Sequence, residues 1–181
     1  MIPTRKECLE IISRYEMPPH ILRHSKLVTK VALLIAVRLN RAGQDLDLAL
    51  IEAGALLHDI TKGASIETQE NHARTGGELL ASLGYPAVAN IIRQHVNLDP
   101  DVGTSGDVVE EEIVNYADKR VKHEEIVDLA ERFRDIEERY ASKIPGLRIR
   151  LRVGLVRMEA IERKIFAPLN INPEDVADIL S

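Results

Sequence analysis

Residues 49–60, ALIEAGALLHDI, are apolar on nearly every side and then end in two ionisable neighbours, His58 and Asp59. A helix that is apolar all round has no solvent face, so it must lie at the centre of a fold, covered by other helices. The same burial would strand an imidazole and a carboxylate. An unpaired buried carboxylate costs several kcal/mol, so whatever packs around this segment must bring polar partners to its C-terminal end.

The rest of the chain reads as further helices. Residues 4–15 form an amphipathic segment stopped by Pro18-Pro19, which open a second helix to about residue 42. There His24, Leu27, Val28, Val31, Ile35 and Leu39 follow the i, i+3, i+4, i+7 template. The central helix runs from about 45 to 58, and residues 61–67, TKGASIE, are expected as a loop. A helix over 68–83 stops at Gly84, and Tyr85-Pro86 starts another that runs through His95. The turn-rich 99–107 stretch reads as an exposed loop, and Asp107 with Glu110 as a capping box for a helix to about 121. A charged helix over 124–142, a break at Ile144-Pro145-Gly146, a long helix over 147–166 and a short terminal one after Asn172-Pro173 complete the pattern. No strand alternation, repeat or long linker is visible. The expectation is one all-α domain over 1–181: a bundle around a central buried helix, with a core over about 20–125 and the 124–181 helices packed on it.

Four more polar residues fall on apolar faces. His24 opens the apolar stripe of its helix. His72 shares a face with Gly76, Leu79, Leu80 and Leu83, and His95 has Ile91 and Ile92 one turn behind it. Asp118 shares a face with Val114 and Val121. Singly, each reads as a hydrogen-bonded core residue or a cap. Together with His58-Asp59 they form a set of imidazoles and carboxylates that a shared divalent cation would satisfy. His20 and His123 lie beside proline or charged residues and read as surface. Gly76-Gly77 reads as a close helix crossing.

The ordered set His24, His58-Asp59, Asp118 resembles the H…HD…D pattern of the HD-domain metal-dependent phosphohydrolases. LLHDITK resembles that family's HDIG-like core, with Thr61 in place of the variant's glycine, and NYADKR resembles its distal segment. The resemblance spans about residues 20–125 and implies a helical HD bundle around one or two divalent ions (Mn, Fe, Co, Ni or Mg). It implies that His24, His58, Asp59 and Asp118 hold one ion. His72 and His95 follow the two-metal subset, with Asp59 bridging; in a mononuclear site they would instead bind phosphate or act as acids. Lys62, in H-D-x-x-K spacing, resembles the lysine of family members that cleave dinucleoside polyphosphates, although a solvated loop lysine reads equally well. Of the pair beside Asp118, Arg120 is favoured over Lys119 as a phosphate ligand, because its planar fork suits phosphate oxygens.

The expected activity is cleavage of a phosphomonoester or phosphoanhydride, of a nucleotide in particular, by a metal-bound hydroxide. Asp59, Lys62 and Arg120 are the candidate catalytic residues. The alternatives are an HD-type di-iron oxygenase and a non-catalytic nucleotide- or metal-binding sensor. Composition narrows the partners. A net charge of −5 and 3% aromatic residues argue against an extended nucleic-acid footprint. The longest apolar run, 31–37, is too short to span a bilayer. With one cysteine, Cys8, and no visible signal peptide, a cytoplasmic protein is expected, with the C-terminal helices as a surface for a homodimer.

Overall fold

In a computed structural model of the chain, residues 1–181 are described except 101 and 103–105, on which part of the expected 99–107 loop falls. Helix α1 (Arg5–Arg14) is closed at its start by Thr4, whose side chain accepts from the Glu7 amide while Glu7 accepts from the Thr4 amide. Helix α2 (Pro19–Arg41) opens on proline and buries Val28, Val31, Ile35 and Leu39. Asp47 caps α3 (Leu48–Leu57) by accepting from the Leu50 amide at 3.0 Å. α3 is buried on most sides because α1, α2, α6 (Pro86–Gln94) and α7 (Glu110–Lys119) all pack on it. This is the central helix that its composition requires.

Two apolar cores meet along α3. One joins α2, α3, α7 and the C-terminal helices through Ile35, Ile51, Ile113, Tyr116, Ile161 and Ile165. The other gathers Cys8, Ile12, Leu56, Leu57, Leu80 and Ile92 from α1, α3, α5 (His72–Ser82) and α6. The α5–α6 crossing is close because of glycine. A Cβ on Gly76 would lie 3.0 Å from Ile92 Cγ2, and one on Gly77 would lie 2.5 Å from Arg93 Cγ.

Four expectations are corrected. Residues 62–68 form a helix, α4 (Lys62–Thr68), rather than a loop. Its side chains bury nothing fully, so no apolar periodicity marks it. The next helix starts at His72, not 68, because Asn71 caps it by accepting from the Arg74 amide. The cap of α7 is at Val109, whose amide donates to Glu112 at 3.0 Å, rather than at Asp107. A helix from 124 is absent: residues 121–126 form an antiparallel hairpin, β1 (Val121–Lys122) with β2 (Glu125–Ile126). After it α8 (Leu129–Tyr140) begins, capped by Asp128. The hairpin turns at His123, which takes a φ of 56°, in the left-handed region. Helices α9 (Leu147–Phe166) and α10 (Asp175–Leu180) end the chain, α9 anchored by buried Met158, Ile161, Ile165 and Phe166. Among the described residues no helix is long and apolar enough to cross a membrane.

Candidate metal centre

His58 and His95 are built in the same way. Each terminates a helix, α3 and α6 respectively. Each ring turns back so that Nδ1–H donates to a carbonyl of the last turn, that of Ala55 at 2.8 Å and that of Ile92 at 2.6 Å. The bond satisfies an orphan carbonyl of the helix end and fixes the ring so that Nε2 points inward. His24 is oriented similarly: its Nδ1 lies 3.0 Å from the carbonyl of His123, which the β1–β2 turn presents to it.

The inward atoms converge. His24 Nε2 is 3.1 Å from Asp118 Oδ1, and His58 Nε2 is 3.6 Å from the same oxygen. Asp59 turns Oδ2 toward His58 Nε2 at 3.3 Å, and Oδ1 toward His72 Nε2 at 3.4 Å and His95 Nε2 at 3.5 Å. His72 and His95 face each other through Nε2 at 3.2 Å. His72 is half-buried and the other five residues are buried. Two groups, His24–His58–Asp118 and His58–Asp59–His95, each place their ligand atoms within 4.8 Å of one another.

This donor set fits a divalent cation. His58 Nε2 and Asp59 Oδ1 are buried without a hydrogen-bond partner. A native interior rarely leaves such atoms orphaned, and a cation at their convergence would satisfy both. The charges agree. Burial would raise the Asp59 and Asp118 carboxyls, yet both are held well below the usual range, Asp59 chiefly by His58 and Lys62 and Asp118 chiefly by Lys119. Burial pushes the His72 imidazole down to about 4 and also lowers His95, so both stay neutral lone-pair donors at pH 7. Burial also opposes a charge on His58, but Asp59 and Asp118 together outweigh it and raise that imidazole to about 9. In the metal-free cluster the two carboxylates therefore hold a proton where a cation would sit.

Lys62 reaches the cluster, its Nζ donating to Asp59 Oδ2 at 2.6 Å from a side chain 36% exposed. Arg120 does not reach it, which corrects the expected phosphate role. Its Nε donates to the Val127 carbonyl at 2.6 Å and one terminal nitrogen donates to the Pro173 carbonyl at 3.0 Å. The other meets Tyr116 and Glu162. The guanidinium is consumed in joining α7 to α9 and the residues before α10.

The neighbour set aside in the sequence reading, Lys119, is the one at the site. Its Nζ donates to Asp118 Oδ2 and to the His95 carbonyl, each at 2.8 Å. Asn115 donates to the carbonyls of Gln94 (2.7 Å) and His95 (2.9 Å), so α7 holds the end of α6 in place. Thr61 donates to the His72 carbonyl at 2.9 Å. Arg132 on α8 carries a buried Nε without a partner and stands close enough to Lys62 to oppose its charge. Thr61 lies in LLHDITK and Asn115 and Lys119 in NYADKR, but the contacts that give these three and Arg132 their places come from distant elements that no local pattern marks.

The family model for the HD domain matches residues 21–134, more than half of the chain and the whole of this cluster. The chain belongs to the HD-domain family. It is 32% identical over 160 residues to a ribonuclease Y of Treponema denticola, covering 82% of this chain and 30% of that protein. It is 31% identical over 147 residues to a tRNA (cytidine(56)-2'-O)-methyltransferase of Thermoplasma volcanium, covering 71% of this chain and 41% of that one. The chain thus spans less than half the length of these relatives. A crystal structure of a predicted HD superfamily hydrolase from an uncultured Thermotogales bacterium shares the fold, with a TM-score of 0.52 and 22% identity, over 90% of this chain and 86% of that one.

Proposed function

We propose that this HD-domain chain is a metal-dependent phosphohydrolase that cleaves a phosphomonoester or phosphoanhydride, of a nucleotide in particular. The observation that carries the reading is the division of Asp59. Oδ2 meets His58 at 3.3 Å and Lys62 at 2.6 Å, while Oδ1, without a hydrogen-bond partner, faces His72 and His95 at 3.4 and 3.5 Å, so this one carboxylate touches both halves of the imidazole set that would hold divalent ions. Divalent ions held there would supply Lewis acidity toward phosphoryl oxygens and lower the pKa of an attacking water.

The chain's own residues do the rest. His24, His58 and His95 are pre-oriented by their Nδ1 bonds, so little reorganisation accompanies ligation. Lys62 and half-buried His72 are the more exposed members of the cluster and mark the side from which a substrate reaches it. Lys62 stays cationic, since Asp59 and Asp118 raise it against the pull of burial. It is the group to hold a phosphoryl oxygen as negative charge develops there. Arg132, whose Nη1 is paired with Asp135 Oδ2 at 3.0 Å, keeps only a buried Nε without a partner beside Lys62, so Lys62 is the principal positive charge at the cluster.

The test is phosphate and nucleotide release from mononucleotides, dinucleoside polyphosphates, cyclic dinucleotides, simple phosphate esters and short oligoribonucleotides, the last because of the ribonuclease relative. It is run anaerobically with Mn, Co, Ni, Mg or Fe(II), beside Asp59→Ala. Turnover abolished in the variant is the expected result. Asp59→Ala protein that keeps both bound metal and activity refutes the reading.

A further inference from the structure

Helix α9 shows solvent an apolar stripe that the described structure leaves uncovered. Ile149 is 71% exposed, Val153 66% and Val156 65%, and the exposed Ala160 continues the line. Single exposed apolar residues are ordinary, but a contiguous patch of them marks a contact surface. Spacings of four, three and four residues make the seam of a two-stranded coiled coil. The stripe also lies opposite the face that buries Met158, Ile161 and Ile165 in the core, so it is free to meet another body.

The charges beside the stripe indicate what that body is. Arg152 and Glu159 lie on one flank, both exposed, and neither joins an ion pair among the described residues. We infer that α9 packs antiparallel against α9 of a second copy of this chain, with Val153 opposite Val156 and Ile149 opposite Ala160. In that register Arg152 of each copy meets Glu159 of the other, twice by symmetry, which makes the patch self-complementary. A parallel pairing gains less from charge: it leaves Arg152 facing Arg157 rather than a carboxylate, and sets Glu159 against Lys164, which is already bound to Glu112 at 2.8 Å. The opposite flank carries Arg150 and Arg157. Arg157 is turned back onto the carbonyls of Leu98, Asp99 and Val102, which removes its charge from the seam. The helix rises 1.5 Å per residue, so the seam is only about 18 Å long, and the dimer forms and dissociates with concentration.

Sedimentation of the 181-residue chain across a concentration series tests this. The mass should climb from 20.3 kDa toward about twice that value. Val153→Glu should raise the dissociation constant by at least about tenfold with unchanged helical circular dichroism. Arg152→Glu alone should weaken association, and adding Glu159→Arg should restore it to within about threefold. A wild-type chain that stays monomeric overturns the inference, as does a dimer indifferent to Val153→Glu or a double reversal without recovery. Monomeric protein that instead binds phosphatidylserine vesicles overturns it as well.

Discussion

Raising the pH should loosen the metal-free protein and tighten its hold on metal, both through one proton. His58 is fully buried between Asp59 and Asp118, which lift its imidazole from the ordinary 6.5 to about 9. The folded state binds this proton more tightly than the unfolded chain does. Its contribution to stability is therefore complete below pH 6.5 and is lost as pH rises to 9. At 1.36 kcal/mol for each pH unit, that rise is worth about 3 kcal/mol. Urea unfolding of chelator-treated protein should show a loss of that order between pH 6.5 and 9. Metal and proton compete for the same Nε2. Titration calorimetry near pH 7 in buffers of different ionisation enthalpy should therefore register release of about one proton from His58, besides any from a bound water. Metal affinity should climb roughly tenfold per pH unit until His58 loses its proton. Flat stability from pH 6.5 to 9, with metal binding that releases no proton at pH 7, would refute this charge balance.

Two further substitutions probe the frame. Arg120→Met removes a guanidinium bound to Tyr116, Glu162 and two carbonyls. It should lower unfolding free energy by about 3 kcal/mol and leave KM of the folded fraction unchanged, whereas a raised KM would return Arg120 to the site. Gly54→Ala would place a Cβ 2.7 Å from Ile91 Cγ2, between the helices that end in His58 and His95. The strain of about 1–3 kcal/mol exceeds the roughly 1 kcal/mol of helix propensity gained. Denaturant melts should show net destabilisation, accompanied by weaker metal binding; a more stable variant would show that the two helices part freely.

What could be read from sequence followed the strength of the periodic signal. Helix α3 announces itself because its residues leave no polar face. His24, His72, His95 and Asp118 could be picked out because each sits where a helix of its period turns inward. Helix α4 could not: it is seven residues long, contains Thr, Gly and Ser, and buries none of them, so local composition pointed to a loop. The β1–β2 hairpin has two residues per strand and a turn at a non-glycine with positive φ, below the length at which alternation can be seen. The choice of Arg120 over Lys119 rested on the chemistry of the side chain. The outcome was set by where Glu162 and Pro173 arrive in space, 42 and 53 residues later, a distance that no local pattern encodes.

The converging side chains also bear on how the chain comes apart. His24 and Asp118 are 94 residues apart in sequence, yet their side chains are 3.1 Å apart. A cation held by both would act as a removable cross-link closing that loop. For a closure of this length the entropy withdrawn from the unfolded chain is worth about 4–5 kcal/mol, as for a covalent bridge. Because the ligands come from α2, α5, α7 and the ends of α3 and α6, fraying of any one helix would open the ring and release the ion. Metal exchange in such a protein reports the easiest of these local openings, so the exchange rate becomes a gauge of the weakest helix around the ring.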